Sequence, residues 1–477
     1  MRIRKAYTFD DVLLVPKLTN MSTGDTSLKT RLSRNFQLNN PLVSANMDDV
    51  TELAMAKFMA EQGGIGIIHR FLPIEEQAEQ VRKVKRSQNI LIEDPYFVAL
   101  NETVEEAEKI MIKRNVSGLP VLNPDKTLAG IITKRDVLFY RSLHGNGGVA
   151  SAMTKNVITA PRNISQTRAK KILCTNSIKK LPLIDNTRHL VGLITLKDLL
   201  RQEEQTLASK DAKGRLLVGA AIGIRDEDIA RATALLQAGA DVLVIDTAHG
   251  HNEKVFFMLK HTLKLIKQKF PGAEVICGNV ATAKAVKDLI KAGADGIKVG
   301  IGPGAACETR IVTGVGVPQL TAIDDAVKAA KNSGVPIIAD GGIRNSGDFA
   351  KAIAMGADTV MLGMLLAGTN ESPGEIIMEN GVSFKRYRGM ASRGAAEEKA
   401  RIDGVFLKTA YREPEGKSGK IQYRGKAINV LEVLFGGLRQ SMYYLGAKNI
   451  AEFQKNAEFV EISQAGLTES HPHDIKF

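Results

Sequence analysis

Gly239-Ala240-Asp241-Val242-Leu243-Val244-Ile245-Asp246 reads as a glycine that ends a helix, an immediate turn, and an apolar run closed by a carboxylate. Its opening phrase returns at Gly293-Ala294-Asp295 and at Gly356-Ala357-Asp358, each time ahead of another apolar run. The repeated unit is therefore helix, tight turn, strand. Apolar runs of this length without alternation belong to strands buried on both faces, as in a parallel sheet. Working outward, eight runs qualify: Leu42 to Met47, Gly64 to His69, Leu216 to Ile222, Val242 to Thr247, Glu274 to Asn279, Gly296 to Gly300, Pro336 to Asp340 and Thr359 to Gly363. Amphipathic helical patterns separate them. Eight such units predict an α/β fold, a (β/α)8 TIM barrel whose working residues stand on the loops after the strand C-termini.

The 477 residues exceed a barrel of about 250 by enough for a second domain. The surplus lies between the second and third strands, where residues 89–202 contain an internal repeat offset by 62 residues. Leu119-Pro120 matches Leu181-Pro182, and Ile131-Ile132-Thr133-Lys134-Arg135-Asp136 matches Leu193-Ile194-Thr195-Leu196-Lys197-Asp198. The predicted division is a barrel from 1–88 and 203–477 with a flap at 385–425, and an insert of two copies at about 89–140 and 149–202. Each copy ends in a strand, a threonine and an aspartate that starts a helix. Thr133, Asp136, Thr195 and Asp198 suit a ribose diol and a nearby phosphate; they equally suit helix capping.

A formal charge of +13 calls for an anionic partner, nucleic acid or a phosphorylated small molecule. Lys and Arg are interspersed with acidic residues instead of gathered in a block, and Trp is absent, which favours the small molecule over nucleic acid. No run approaches a membrane span, and Met1 to Phe9 carries charge without an apolar stretch behind it, so the expectation is a cytoplasmic chain with no membrane partner. Three cysteines, Cys174, Cys277 and Cys307, are too few and too irregularly spaced for a disulfide framework or a zinc site.

Cys307 stands apart because of its setting, Gly300-Ile301-Gly302-Pro303-Gly304-Ala305-Ala306-Cys307-Glu308-Thr309-Arg310, on the loop after the sixth strand. A thiol in a glycine-rich loop at that end of a barrel is placed for nucleophilic attack, and Thr309 is placed to relay a proton. Cys277 inside a strand and Cys174 inside a helical pattern read as structural. Asp340-Gly341-Gly342 ends the seventh strand with a carboxylate suited to a ribose diol and glycines that allow a phosphate close to the backbone, and Gly363 ends the eighth. Glu415, in the polar run that follows Tyr387-Arg388-Gly389-Met390, is a candidate general base or activator of Thr309, although a glutamate in a charged loop is by default solvated.

These stretches resemble the IMP dehydrogenase and GMP reductase family over nearly the whole chain. The resemblance rests on Phe9-Asp10-Asp11-Val12-Leu13-Leu14-Val15-Pro16, Asn46-Met47-Asp48, Gly63-Gly64-Ile65-Gly66, the Gly302 to Pro318 loop, Tyr387-Arg388-Gly389-Met390 and Glu469-Ser470-His471-Pro472-His473-Asp474. The insert resembles paired CBS modules, which implies ATP or GTP as regulatory ligands there. The resemblance implies that Cys307 attacks C2 of GMP or IMP and that hydride passes to or from a nicotinamide. It also implies nucleotide contacts at Met47, Asp340, Gly342, Gly363, Tyr387, Gly389 and Met390, and cofactor contacts at Asp246 and Asn279. Potassium would bind the carbonyls of Gly302, Gly304 and Cys307, with Glu469, Ser470 and His471 from a neighbouring chain of a homotetramer or octamer.

Within the family, the flap points to one sibling. The dehydrogenase flap carries an Arg-Tyr pair that activates water, and Ala400 to Leu407 has none, whereas Ala410 to Lys417 resembles the reductase's glutamate segment. The expectation is a CBS-bearing GMP reductase using NADPH, with an NAD-dependent IMP dehydrogenase and an inactive nucleotide sensor as the alternatives. His249-Gly250-His251 and the Glu469 to Asp474 tail lean toward the dehydrogenase. Ala305 and Met364 stand where relatives place phosphate-binding serines.

Overall fold

The strands marked out by the glycine-led repeat close on themselves. In the computed structural model, which describes residues 3–87, 91–92, 94–204, 206–402 and 413–472, eight parallel strands form a closed barrel. They are β1 Leu42–Ser44, β2 Ile65–Ile68, β3 Gly219–Ile222, β4 Val242–Asp246, β5 Glu274–Val280, β6 Gly296–Val299, β7 Ile337–Asp340 and β8 Thr359–Leu362. They stand in chain order, and β8 closes on β1 with Val360 opposite Leu42. The expected fold class is thus borne out.

Every strand is buried because it has two apolar faces to cover. Val242 and Val244 join one core and Leu243 and Ile245 the other, the period of two expected when alternate side chains point into the barrel and out toward the helices. Cys277 lies in the second core, where burial pushes its thiol above the ordinary range.

The Gly-Ala-Asp phrase does more than turn the chain. Gly239, Gly293 and Gly356 hold φ of +99°, +102° and +112°, a conformation costly to any residue with a Cβ. The aspartate that follows then binds both backbone groups of one residue on the preceding strand segment. Asp241 donates its N–H to the Val218 carbonyl at 3.0 Å and accepts the Val218 N–H at 2.9 Å; Asp295 does the same with Val275 (2.8 and 3.0 Å), and Asp358 with Ile337 (2.9 and 2.9 Å). Three repeats of one stitch satisfy backbone groups at the strand starts that the ladder leaves open.

The chain divides into two units, Met1–Ser87 with Leu207–Phe477, and Gln88–Thr206. The second unit runs strand, helix, strand, strand, helix twice, and its elements recur at a constant spacing (98 to 160, 104 to 166, 118 to 180, 128 to 190, 134 to 196). Thr133 caps the helix Lys134–His144, its hydroxyl donating to Asp136 at 2.6 Å, and Thr195 donates to Asp198 at 2.5 Å in the same way. Outside the barrel, Ile376–Glu379, Val382–Arg388 and Ser418–Gln422 form a three-stranded antiparallel sheet, and the helix Arg393–Ile402 follows its second strand. Among the described residues, no helix is long and apolar enough to cross a membrane.

At the barrel floor a buried lysine is shared by two carboxylates. Lys85 Nζ, on the helix Ile74–Arg86, donates to Asp241 at 2.6 Å, to Asp211 at 2.9 Å and to the Leu216 carbonyl at 3.0 Å. Removing one partner of such a pair leaves charge without compensation. Lys85→Met should destabilise the barrel by about 3–5 kcal/mol in urea unfolding; combining it with Asp241→Asn should recover part of the loss, and an unchanged midpoint for the single variant would refute the assignment.

Candidate active site

Four polar side chains meet where β4, β5, β6 and β7 end. Asp246 closes β4, Asn279 stands near the end of β5, Lys298 lies within β6, and Asp340 closes β7. Lys298 is only 2% exposed. Its ammonium donates to Asp246 at 2.7 Å, to Asp340 at 2.7 Å and to the Asn279 carbonyl oxygen. Asn279 in turn donates to Asp340 at 3.0 Å and to the Gly300 carbonyl at 2.7 Å. A lysine cannot remain charged in such a place unaided. Burial alone would pull its ammonium down, but Asp246 and Asp340 outweigh burial and hold it above its usual value. Burial likewise would raise the Asp246 carboxyl, and Lys298, with Arg70 and Asn46 adding, holds it below the usual range.

Asp246, Asn279 and Asp340 are thus brought together, and Lys298, which binds them, is the residue that sequence reasoning missed. The signal was present. A lysine inside the apolar run Gly296 to Gly300 must be buried on either face, and a buried ammonium requires carboxylates.

The loop after β6 starts with a close backbone contact. A Cβ at Gly300 would fall 2.0 Å from the Asp340 carbonyl oxygen, so only glycine lets the chain pass β7 there. Cys307 is half-buried beyond it, with Sγ 3.1 Å from Thr309 Oγ1 and its N–H donating to the Gly304 carbonyl at 3.0 Å. The Asp340-Gly341-Gly342 turn packs against this loop, a Cβ at Gly341 falling 3.0 Å from Pro303. Gly363, at the end of β8, faces Met47 and Tyr387, whose hydroxyl donates toward Met47 Sδ at 3.9 Å. Tyr387 is buried, and burial raises its hydroxyl pKa.

The flap is joined to the cysteine loop by backbone bonds. Glu308 donates to the Glu415 carbonyl at 2.8 Å, Lys417 to Ala306 at 3.0 Å, Gly389 to Lys417 at 2.9 Å, and Glu415 to Ala391 at 3.1 Å. Lys417 also pairs with Glu308 at 2.7 Å. A Cβ at Gly389 would come within 2.8 Å of the Ala306 carbonyl, so the segments pack too closely for a side chain there. Met390 follows, half-buried. The flap is further anchored by Arg388, buried and paired with Asp48 on the loop after β1, two partners that sequence reasoning quoted within motifs without giving them a role.

Other expected site residues lie elsewhere or alone. Glu469, Ser470 and His471 are exposed at the end of the helix Gln464–Glu469, where Ser470 donates to the Gly466 carbonyl and His471 bonds the Leu467 carbonyl. They stand apart from the Gly302, Gly304 and Cys307 carbonyls in this chain's own bonding. Thr133, Asp136, Thr195 and Asp198 belong to the inserted unit and are engaged in helix capping. Arg401 is exposed and pairs with Glu398, and residues 403–412 of the flap lie outside the described residues. Ala305 is exposed, and Met364 begins the short helix Met364–Ala367 packed on the barrel core.

The chain matches the family model described as the IMP dehydrogenase / GMP reductase domain over residues 6–473. It is 48% identical to an inosine-5'-monophosphate dehydrogenase of Nitrosopumilus maritimus, covering 100% of this chain and 99% of the relative. It is also 48% identical to an inosine-5'-monophosphate dehydrogenase of Aquifex aeolicus, covering 100% and 96%. Among solved structures, a GMP reductase of Trypanosoma brucei in complex with guanosine 5'-monophosphate superposes with a TM-score of 0.92 at 41% identity, covering 99% of each chain. These relatives correct the expectation of a GMP reductase: full-length identity is higher to proteins named as dehydrogenases. The flap argument failed because it weighed a short segment against a likeness carried by the whole chain, and both siblings share the fold. The closed barrel, the Cys307 loop seated on its C-terminal mouth and the match from residue 6 to 473 place this chain in the IMP dehydrogenase / GMP reductase family of oxidoreductases.

Proposed function

We propose that this protein oxidises IMP to XMP with NAD as hydride acceptor, through a covalent intermediate on Cys307. The reading is carried by full-length identity to IMP dehydrogenases together with the Cys307–Thr309 pair poised at the barrel mouth. Asp340 binds the ribose diol, the backbone at Gly342 and Gly363 receives the phosphate, Met47 lies beneath the base, and Tyr387, Gly389 and Met390 close over the nucleotide.

The residues on the cofactor side fit an oxidised nicotinamide. The carboxylates of Asp246 and Asp340 beside Asn279 are complementary to a cationic ring. Bound NAD would supply the two-electron acceptor for the hydrogen on C2. The chain's own part begins with Cys307 Sγ bonding to C2 of IMP, which converts C2 from an aromatic centre into one able to release hydride. Once hydride has left, water must add at C2 and the C2–S bond must break, returning the thiol and giving XMP. In this reading Thr309, 3.1 Å from the sulfur, takes the water's proton and Glu415, whose backbone bonds to Glu308 and Ala391, receives it in turn. This pair serves in place of the Arg-Tyr base.

The wider reading follows the family. The inserted unit is a CBS pair binding purine nucleotides, the Gly302, Gly304 and Cys307 carbonyls with Glu469, Ser470 and His471 of a neighbouring copy would hold potassium, and the assembly is a tetramer. A reducing, cytoplasmic setting suits the free thiol.

The absorbance of purified protein at 340 nm should rise with IMP, NAD and potassium, and Cys307→Ser should lower the rate at least about a thousandfold. No rise with IMP, but a fall with GMP and NADPH, would overturn the reading. Lys298→Met leaves Asp246 and Asp340 uncompensated, so kcat/KM should fall about a hundredfold and Lys298→Arg should lose less. The pH profile adds a sign. Lys298 holds the Asp246 carboxyl down, so its removal should move the acid limb of activity to higher pH; an unmoved limb would show that Asp246 does not need its partner.

A further inference from the structure

Arg310 is three residues from the nucleophile and turns back across the loop that carries it. Its Nε donates to the Ile301 carbonyl at 3.2 Å and its Nη2 to the Val317 carbonyl at 2.6 Å. Those two carbonyls stand at opposite ends of the segment that contains Cys307. One planar fork therefore ties the departure of the loop from β6 to its return toward the helix Gln319–Ala330.

The stem of the side chain is fitted as closely as its head. A Cβ built at Gly302 would lie 2.4 Å from Arg310 Cγ, and one built at Gly316 would lie 2.6 Å from the same atom. The two glycines form the walls of a slot that the arginine fills. Gly302 also has φ +88°, so its place in the wall depends on the absence of a side chain twice over. The intervening helix, Thr309–Thr313, has no buried residue, and Ile311 is 85% exposed. Little apolar packing is available to hold this short helix, so the guanidinium bonds at the two ends of the segment act beside the flap's backbone bonds to Ala306 and Glu308 in restraining it.

We infer that Arg310 is a positioning residue for the covalent step: it acts through the loop backbone to hold Cys307 and Thr309 at attacking distance, without itself touching the nucleotide. The inference rests on the reading of Cys307 as nucleophile. An arginine is suited to this because it donates in two directions from one rigid plane, which a lysine cannot do. Binding of the nucleotide, assigned to Asp340, Gly342 and Gly363, lies outside the brace, so the loss should appear in turnover and not in KM.

Two variants test it in the full chain. Arg310→Ala removes the brace, and Gly316→Ala keeps the arginine but intrudes on its slot, so that a folding failure of the first leaves the second. Each should lower kcat by about 10- to 100-fold with the KM for IMP changed less than about threefold. Each should also speed hydrogen exchange of the Gly302 to Val317 amides about tenfold or more, with the barrel strands unaffected. Unchanged exchange in that segment, or kcat within about twofold of the parent, overturns the inference. The exchange measurement needs no turnover. If the parent protein fails to oxidise IMP, the functional reading fails, and the brace is still tested by exchange.

Discussion

Lys298 carries a positive charge hydrogen-bonded into the group at the ends of β4 to β7, and the arrangement around it follows from electrostatics in a poorly solvated place. Without the ammonium, Asp246 and Asp340 would face each other across a gap that neither could tolerate in the ionised state. With it, each carboxylate has a fixed position, and Asn279 is oriented by the same contacts. Asp340 and Asp246 are therefore parts of one network. A change in one is felt by the other through a single cation.

The second constraint is backbone proximity. Gly300 passes the Asp340 carbonyl, Gly389 passes the Ala306 carbonyl, and Gly302 and Gly316 enclose the Arg310 stem. These contacts are within the radius of a methyl group, so the loops that build the site are matched to one another by shape before any polar contact is counted. The backbone bonds of the flap at 389–392 and 415–417 to the cysteine loop extend the same logic. Rigidity of this kind fixes the direction in which the Cys307 thiol is presented.

The two siblings of the family show how far local motifs can mislead. The absence of an Arg-Tyr pair in Ala400 to Leu407 is a real feature of this chain, and it pointed to the reductase. Identity over the whole length points to the dehydrogenase. The solved reductase shares the architecture at a TM-score of 0.92, because barrel, cysteine loop and flap serve either direction of hydride transfer. Fold cannot decide the direction; the groups that activate water or release ammonia must.

The sequence by itself determined the eight strands, the place of the insert and its repeat, and the cysteine loop, because each leaves a local trace: apolar runs, glycines ahead of strands, a constant spacing of 62 residues. It also marked Asp340 by its place at a strand end, and Asp246 and Asn279 through family resemblance. Tertiary structure alone decided that these three share Lys298, that Arg388 reaches Asp48, and that Arg310 spans its own loop, since each contact joins groups whose distance along the chain says nothing of their distance in space. The three Gly-Ala-Asp aspartates show the same division. Their repetition was legible, but their purpose was not, because the backbone groups they bind belong to the neighbouring strand segment, and only closing the barrel brings strand and aspartate together.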